Sequence, residues 1–460
     1  MSVLWTSAEA ETATLGHASR AFEATGMSID TRTLKPGDLF VALTGDARDG
    51  HDFVKAAFDA KASAALVSHK PEGVSGPLLN VGHVQRGLED LARASRARSN
   101  AKIIAVTGSA GKTTTKEMLR LGFGALGATH ASAASYNNHW GVPLSLASMP
   151  RETQYGVFEV GMNHFGELRN LVSFVRPHVA LVTTIAPAHL EFFGNCEAIA
   201  DAKSEIFEGV MPGGAALVPA DSEYASRLIA RARQVGVSQI LSFGAKGADA
   251  RLVGFTEIEE GMKVQSEILG CRVDFRIGAP GAHIAGNAIG ALLSVSVLEG
   301  DVLNAAAALS QFAALKGRGA RFKVKAPGGT AEVIDESYNA NPASMAAALA
   351  LLGSASAKRR IAVLGDMLEM GPDGPMHHAA LAKEIEAARV DSIYLNGPQM
   401  KSLWEKLPTS RRGAYADSSA ENALAVANAI QDGDVVLVKG SLGSRMAAIV
   451  DALKARGIAS

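Results

Sequence analysis

The stretch Ile103-Ile104-Ala105-Val106-Thr107-Gly108-Ser109-Ala110-Gly111-Lys112-Thr113-Thr114 decides the fold. Its first four residues are an apolar run of strand length, and Thr115, Met118 and Leu119 beyond it give the next segment a helical face to bury. A strand, a glycine turn and a helix in that order make an α/β unit. The glycines let the backbone turn N–H groups inward around phosphate oxygens, and the following helix adds the positive end of its dipole. Lys112 can then bridge outer phosphates, while the Thr113 hydroxyl suits a Mg²⁺ ligand. Gly108, Ser109, Ala110, Gly111, Lys112, Thr113 and Thr114 are therefore the candidate nucleotide loop. It departs from the general phosphate-loop pattern, because Val106 stands where the first glycine should be and the two glycines are only three residues apart. A purely structural turn is the competing reading.

On both sides of this loop, Ile- and Val-rich runs alternate with helical patterns, which predicts an α/β fold around largely parallel sheets. Three blocks are expected, at 1–82, 83–317 and 318–460. The first has strands at 39–43 and 64–67 around a helix at 53–61. The second opens with a helix near 85–98 and has strands at 103–106, 157–160, 179–183 and 215–218. Lys316-Gly317-Arg318-Gly319 forms a polar junction to the third, whose strands at 361–364, 392–395 and 435–438 alternate with helices like a small Rossmann-type sheet. Ser418 and Glu421 have capping-box spacing, and Ala423, Ala427 and Ile430 mark one face of the helix they begin. There is no internal repeat.

A chain of 460 residues is too long for one compact core, and 47% hydrophobic against 20% charged residues is a globular balance. Lysine plus arginine number 45 against 46 acidic residues, so no bulk field draws the chain to nucleic acid or a membrane surface. Cys196 and Cys271 are too few for a disulfide framework or a four-cysteine zinc site, and are expected as two buried thiols in a reducing compartment. The amino terminus carries Glu9 and Glu11 and lacks the pattern of a secretory signal. The most apolar window, 284–298, is interrupted by Asn287 and is shorter than the about 20 residues a bilayer requires, so a buried helix is expected. These features predict a cytoplasmic protein with no membrane insertion.

A bound ATP could serve a kinase, a switch, a motor or a ligase, but no guanine-reading Asn-Lys-x-Asp string is present. Apolar residues run into acids at Val157-Phe158-Glu159 and at Val333-Ile334-Asp335-Glu336. Glu159 ends a strand of the loop's own block and is favoured for Mg²⁺. Asp335 could reach ATP only across a domain cleft, which suits an enzyme that closes before reacting. Either acid could instead be a solvated strand-edge residue. Ala186-Pro187-Ala188-His189-Leu190-Glu191-Phe192-Phe193-Gly194 and then Lys203-Ser204-Glu205 put an imidazole in a loop and a lysine on the next helix. A lone histidine is more often structural, yet near a metal-bound triphosphate the neutral nitrogen of His189 could hold a second Mg²⁺.

Taken in order, these strings resemble the Mur ligases across nearly the whole chain, and within that family the branch that adds D-alanyl-D-alanine. Thr-Gly-x-x-Gly-Lys-Thr is the family's short loop. Asp30-Thr31-Arg32, the run from Lys35 to Leu43 and Asp49-Gly50-His51 look like its uridine-nucleotide-binding domain, with Thr31 and Arg32 as substrate contacts. Tyr136-Asn137-Asn138-His139-Trp140-Gly141-Val142-Pro143 resembles the loop that meets the muramoyl substrate through Asn137 and Asn138. Ser135 stands where many relatives have asparagine, so it is left out of the site; His139 and Phe193 are local variants. Glu159-Val160-Gly161-Met162-Asn163 and the His189 segment resemble two magnesium sites. Gly281-Ala282-His283 with Asn287 looks like the adenine-side helix, and Gly317-Arg318 like the hinge arginine that approaches ATP. Asp335-Glu336-Ser337-Tyr338-Asn339-Ala340-Asn341-Pro342 discriminates best, since sister ligases usually carry a histidine version. Leu364-Gly365-Asp366-Met367 and Lys439-Gly440-Ser441 follow in matching order.

The resemblance implies three domains: an N-terminal one for the UDP-linked substrate, a central P-loop-type ATPase domain, and a Rossmann-like C-terminal one for the incoming dipeptide. It implies ATP and Mg²⁺ as cofactors, UDP-N-acetylmuramoyl-tripeptide and D-alanyl-D-alanine as substrates, and a monomer. Lys112, Glu159, His189 and Lys203 are the implied catalytic groups, and Thr113, Glu159, His189 and Lys203 the implied metal set. Lys203 is either carbamylated or a plain lysine paired with phosphate. Asn287, Arg318 and Asp335 join the nucleotide loop, and Asn339, Asn341, Lys439 and Ser441 hold the dipeptide. Two rivals stay open: a sister ligase with a different acceptor, and a nucleotide-switched binding protein that hydrolyses ATP without co-substrates.

Overall fold

Three sheets carry the chain in the computed structural model, which describes residues 2–133, 135–247, 249–259 and 261–459. The first has five strands, in spatial order His17–Ala18, Leu78–Asn80, Ala64–Val67, Asp38–Val41 and Gly26–Ser28, parallel except for the first pair. Asp38–Val41 and Ala64–Val67 are buried throughout, which is why Leu39–Val41 and Ala64–Val67 read as unbroken apolar runs. The helix expected at 53–61 is divided, with a 3-10 turn at Gly50–Phe53 before the helix Val54–Asp59.

Helix Val84–Ala97 leads to the second sheet and belongs to both neighbours. Its Val84, Leu88 and Leu91 lie in one apolar cluster that runs from Leu39 and Leu66 to Ile103 and Phe158. The first two blocks therefore share a core across residue 82.

The second sheet has nine strands, in order Cys271–Ile277, Gly261–Ile268, Ala250–Ile258, Gln239–Gly244, Ala215–Pro219, Val179–Val182, Lys102–Thr107, Tyr155–Glu159 and Thr129–Ala131. Seven run parallel, and the last two on one side turn back as antiparallel hairpins. These hairpins are an addition to the expected parallel pattern. Met262, Val264, Ile268, Val273 and Phe275 on one face join the cluster of the apolar helix Ala282–Val297, which is buried as predicted. Cys271 starts the outer hairpin strand and is exposed, while Cys196 is half-buried in the first turn of Cys196–Ser204. The expectation of two buried thiols thus fails, because an edge strand turns alternate residues to solvent.

The third sheet orders seven strands as Arg412–Ala416, Ser392–Asn396, Arg359–Gly365, Asp434–Lys439, Gly329–Glu336, Ala320–Ala326 and Ile458–Ala459. The first five are parallel and the last two antiparallel. Ser418 does precede the helix Ser419–Ala429, but its hydroxyl donates to the Glu421 carboxylate (2.7 Å) and makes no bond to the helix backbone. The expected reciprocal box therefore does not form. No helix among the described residues is long and apolar enough to cross a membrane.

Candidate active site

The parallel strands of the second and third sheets bring their carboxyl-terminal loops together, the usual location of ligand sites in open α/β sheets. The nucleotide loop follows Lys102–Thr107 and ends in helix Lys112–Gly124. Gly108 and Gly111 have φ of 151° and 82°. A Cβ on Gly108 would lie 1.9 Å from Thr183 Oγ1, and one on Gly111 would lie 2.8 Å from Asn287 Nδ2, so neither position accepts a side chain. The second contact also brings Asn287 to the loop. Thr183 Oγ1 donates to the carbonyls of Thr107 and Ala110, holding the turn from the adjacent strand end; sequence reading did not pick it out.

Ser109 serves the scaffold. Its N–H donates to Thr184 O (2.9 Å), its hydroxyl donates to Ala186 O (2.9 Å), and the same oxygen accepts from Ala186 N–H (3.0 Å). Lys112 Nζ donates to Gly108 O (2.8 Å), folding the side chain over its own loop.

Glu159 is almost fully buried at the end of Tyr155–Glu159, which pairs with the strand before the loop in the register Glu159 to Val106. Thr113 Oγ1 donates to its Oε2 (2.8 Å) and Asn137 Nδ2 to its Oε1 (2.7 Å), so three predicted residues form one contiguous group. Ser135, excluded by the sequence reading, belongs to the same group. Its hydroxyl lies 3.5 Å from Thr113 Oγ1 and accepts from Arg318 Nη2 (3.1 Å), while the guanidinium stacks 4.2 Å from the Tyr338 ring centre. A serine is as able as an asparagine to accept that donor, and the signal for it was its adjacency to the muramoyl loop.

Burial pushes the Lys112 ammonium below its ordinary pKa, partly offset by Glu159 and reinforced by Arg318. Lys203 is 1% exposed and shifted well down, first by burial and then by the charge of Lys112, with no carboxylate opposing the shift. Two desolvated ammonium groups that repel one another favour an anion between them, so the loop, Lys112 and Lys203 fit a polyphosphate. No cluster of three His, Cys, Asp or Glu side chains suited to a metal exists among the described residues. Thr113 and Glu159 nevertheless fit Mg²⁺, which keeps water and phosphate oxygens and needs only one or two carboxylates. His189 stands apart from that pair: it has φ of 56° and its Nδ1 lies against the carboxylate of Glu369 in the third sheet's loops.

The remaining candidates divide between the cleft and the scaffold. Asn341 caps helix Pro342–Ser354 in a reciprocal box with Ser344, and its Nδ2 donates across the cleft to Ser109 O (3.3 Å). Lys439 is buried, donating to Asn339 O (2.9 Å) and Glu336 Oε2 (3.2 Å). Ser441 Oγ accepts from Leu368 N–H (3.0 Å), and Asn339 Oδ1 accepts from Ala340 N–H (2.9 Å). Asp335 is 1% exposed and turned inward, accepting from Gly317 N–H (3.0 Å) and from the Ser337 hydroxyl (2.6 Å). It fixes the junction that carries Arg318.

Thr31 and Arg32 lie in the first domain, where Arg32 is exposed and paired with Asp30 through Nη2 to Oδ2 (2.5 Å). Asn138 is exposed and accepts from the N–H groups of Trp140 (3.2 Å) and Gly141 (2.9 Å), closing the turn before helix Gly141–Ala147.

A strand, a glycine turn and a helix with a buried strand-end acid define a P-loop nucleotide-binding protein, here with a Rossmann-like domain reaching over the loop. Three family models match in succession: the Mur ligase family catalytic domain over residues 23–110, the Mur ligase middle domain over 106–295, and the Mur ligase glutamate ligase domain over 320–442. The UDP-N-acetylmuramoyl-tripeptide--D-alanyl-D-alanine ligase of Rickettsia prowazekii is 34% identical, covering 92% of this chain and 94% of its own. The enzyme of the same name from Escherichia coli K12 is also 34% identical, covering 94% of both. A crystal structure of MurF from Acinetobacter baumannii superposes with a TM-score of 0.85 at 30% identity, covering 98% of this chain and 99% of that one. The MurF ligase of Thermotoga maritima in complex with ADP gives 0.78 at 24% identity, covering 94% and 97%. The chain belongs to the Mur ligase family.

Proposed function

We propose that this protein is an ATP-dependent ligase that joins D-alanyl-D-alanine to UDP-N-acetylmuramoyl-tripeptide, giving ADP, phosphate and the UDP-linked pentapeptide of peptidoglycan precursor synthesis. The names of its relatives support the substrates. The observation that carries the mechanism is the contact of Asn341 with Ser109, which joins the third domain to the nucleotide loop.

A carboxylate does not lose an oxygen readily at neutral pH, so that oxygen must first become a better leaving group. The tripeptide's terminal carboxylate oxygen attacks the γ-phosphorus of ATP, and the bond to the ADP oxygen breaks. Lys112 and the loop N–H groups neutralise charge on the phosphoryl oxygens during this transfer. Thr113 and Glu159 would hold Mg²⁺, which supplies further positive charge to the phosphates when bound. The free amine of D-alanyl-D-alanine then attacks the acyl carbon, phosphate departs with the former carboxylate oxygen, and the nitrogen loses a proton. Delivering that amine is mainly a matter of position. Asn339 serves it directly, whereas Asn341, Lys439 and Ser441 hold the turn and its contact with the nucleotide loop.

In this reading residues 1–82 grip the UDP-linked substrate, 83–317 the ATP and 318–460 the dipeptide. A monomer is the working unit of this reading, and its substrates assign it to the cytoplasm. Lys203, buried and with its pKa pushed well down by that burial and by Lys112, suits carbamylation by CO₂. Incubation with UDP-N-acetylmuramoyl-tripeptide, ATP and Mg²⁺ should yield a UDP-linked pentapeptide by mass spectrometry only when D-alanyl-D-alanine is added. ATP turnover indifferent to the dipeptide, with no amide product, would overturn the assignment.

A further inference from the structure

His189 and Glu369 belong to different domains, and both are non-glycine residues with left-handed φ, 56° and 61°. Such a conformation persists in residues of this kind when surrounding contacts over-determine it. Four contacts converge here. The Glu369 carboxylate pairs with His189 Nδ1. Glu191 N–H donates to the Glu369 carbonyl (3.1 Å). Gly371 lies against the Glu191 backbone, where a Cβ would make ordinary contact with its Cα at 3.4 Å. Leu190 packs both on the apolar cluster of the first two domains and on that of the third.

We propose that Glu369 is a positioning residue, which orients the His189 imidazole only while the third domain is docked on the segment 189–193. The carboxylate against Nδ1 fixes the direction in which the ring stands. Separation of the domains releases both the carboxylate and the backbone bond, so the imidazole loses its orientation whenever the cleft opens. Docking of the third domain and completion of the site are thereby one event. The catalytic half of this inference rests on the ligase reading; the docking half rests on the contacts alone.

Glu369→Gln in the full chain keeps the shape and removes the charge. Amide hydrogen exchange reads the docking directly, because Glu191 N–H is bonded to the Glu369 carbonyl. The variant should exchange that amide about tenfold faster, with protection of the helices Lys112–Gly124 and Pro342–Ser354 unchanged. In the ligase assay its kcat should fall about 10- to 100-fold, the usual effect of losing a residue that orients a ligating histidine. KM for the UDP-linked substrate, which the first domain binds, should stay within twofold. Glu369→Asp, which retains the charge, should recover part of both effects. Unchanged Glu191 exchange with unchanged kcat would overturn the proposal. So would faster exchange throughout the chain, which would make Glu369 a folding residue only. If the wild-type chain made no pentapeptide, the ligase reading would fail while the exchange comparison still decided the docking role.

Discussion

The nucleotide loop after Lys102–Thr107 and the turn after Gly329–Glu336 occupy equivalent places, each at the carboxyl end of a parallel strand inside its sheet. They use their polar groups in opposite ways. Around the loop, two desolvated lysines face one another without a nearby acid to balance Lys203, and glycines keep the backbone bare. In the turn, Lys439 is matched by Glu336 and the Asn339 carbonyl, Asp335 by Ser337 and Gly317, and Asn341 by its own helix. The first region leaves Lys203 without an opposing acid and suits an anion, whereas the second is balanced internally and acts as a rigid arm. Stability and catalysis therefore depend on different lysines.

That contrast makes the largest expected effect Lys112→Ala. Among the described residues its ammonium bonds only to its own loop carbonyl, so kcat should fall by about 10³-fold while the urea midpoint hardly moves. Lys439→Met should do the reverse in stability. Removing one member of a buried ion pair leaves the other uncompensated, and with Glu336 still partly exposed a loss of about 2–3 kcal/mol is expected from urea unfolding. If Lys112→Ala lowered the midpoint as far as Lys439→Met, the two regions would not differ as described.

Smaller effects sharpen the comparison within the third domain. Asn341→Ala removes a formed helix cap and should cost about 1 kcal/mol by the same measurement. Ser418→Ala removes a hydroxyl that bonds to no helix backbone N–H, so less than about 0.5 kcal/mol is expected. Equal losses for the two would mean that the Ser418 hydroxyl caps its helix in solution.

The loop and its strand were legible because burial on every side leaves a continuous apolar run, and because glycine, lysine and threonine have few other reasons to follow it in that order. Glu159 was legible as the acid ending a neighbouring strand. The hairpins from Ala250 to Ile277 were missed because half-exposed strands mix Lys263, Glu267 and Arg272 with their apolar residues. Ser135 was set aside because many relatives have asparagine there, and Thr183 and Glu369 were missed for a different reason. Each acts through a partner far away in sequence, and only the folded chain brings Arg318, Ala110 and His189 to them. Asp335 shows the converse limit: a strand-end acid looks the same in sequence whether it faces a nucleotide or its own junction.

Transfer of label from the tripeptide tests the central claim most directly. With the substrate's terminal carboxylate enriched in ¹⁸O, activation by phosphoryl transfer moves one labelled oxygen into inorganic phosphate for each amide formed, and mass spectrometry of the released phosphate should find it. Pentapeptide formation with unlabelled phosphate would contradict the account, since the carboxylate oxygen would then never have been bonded to phosphorus.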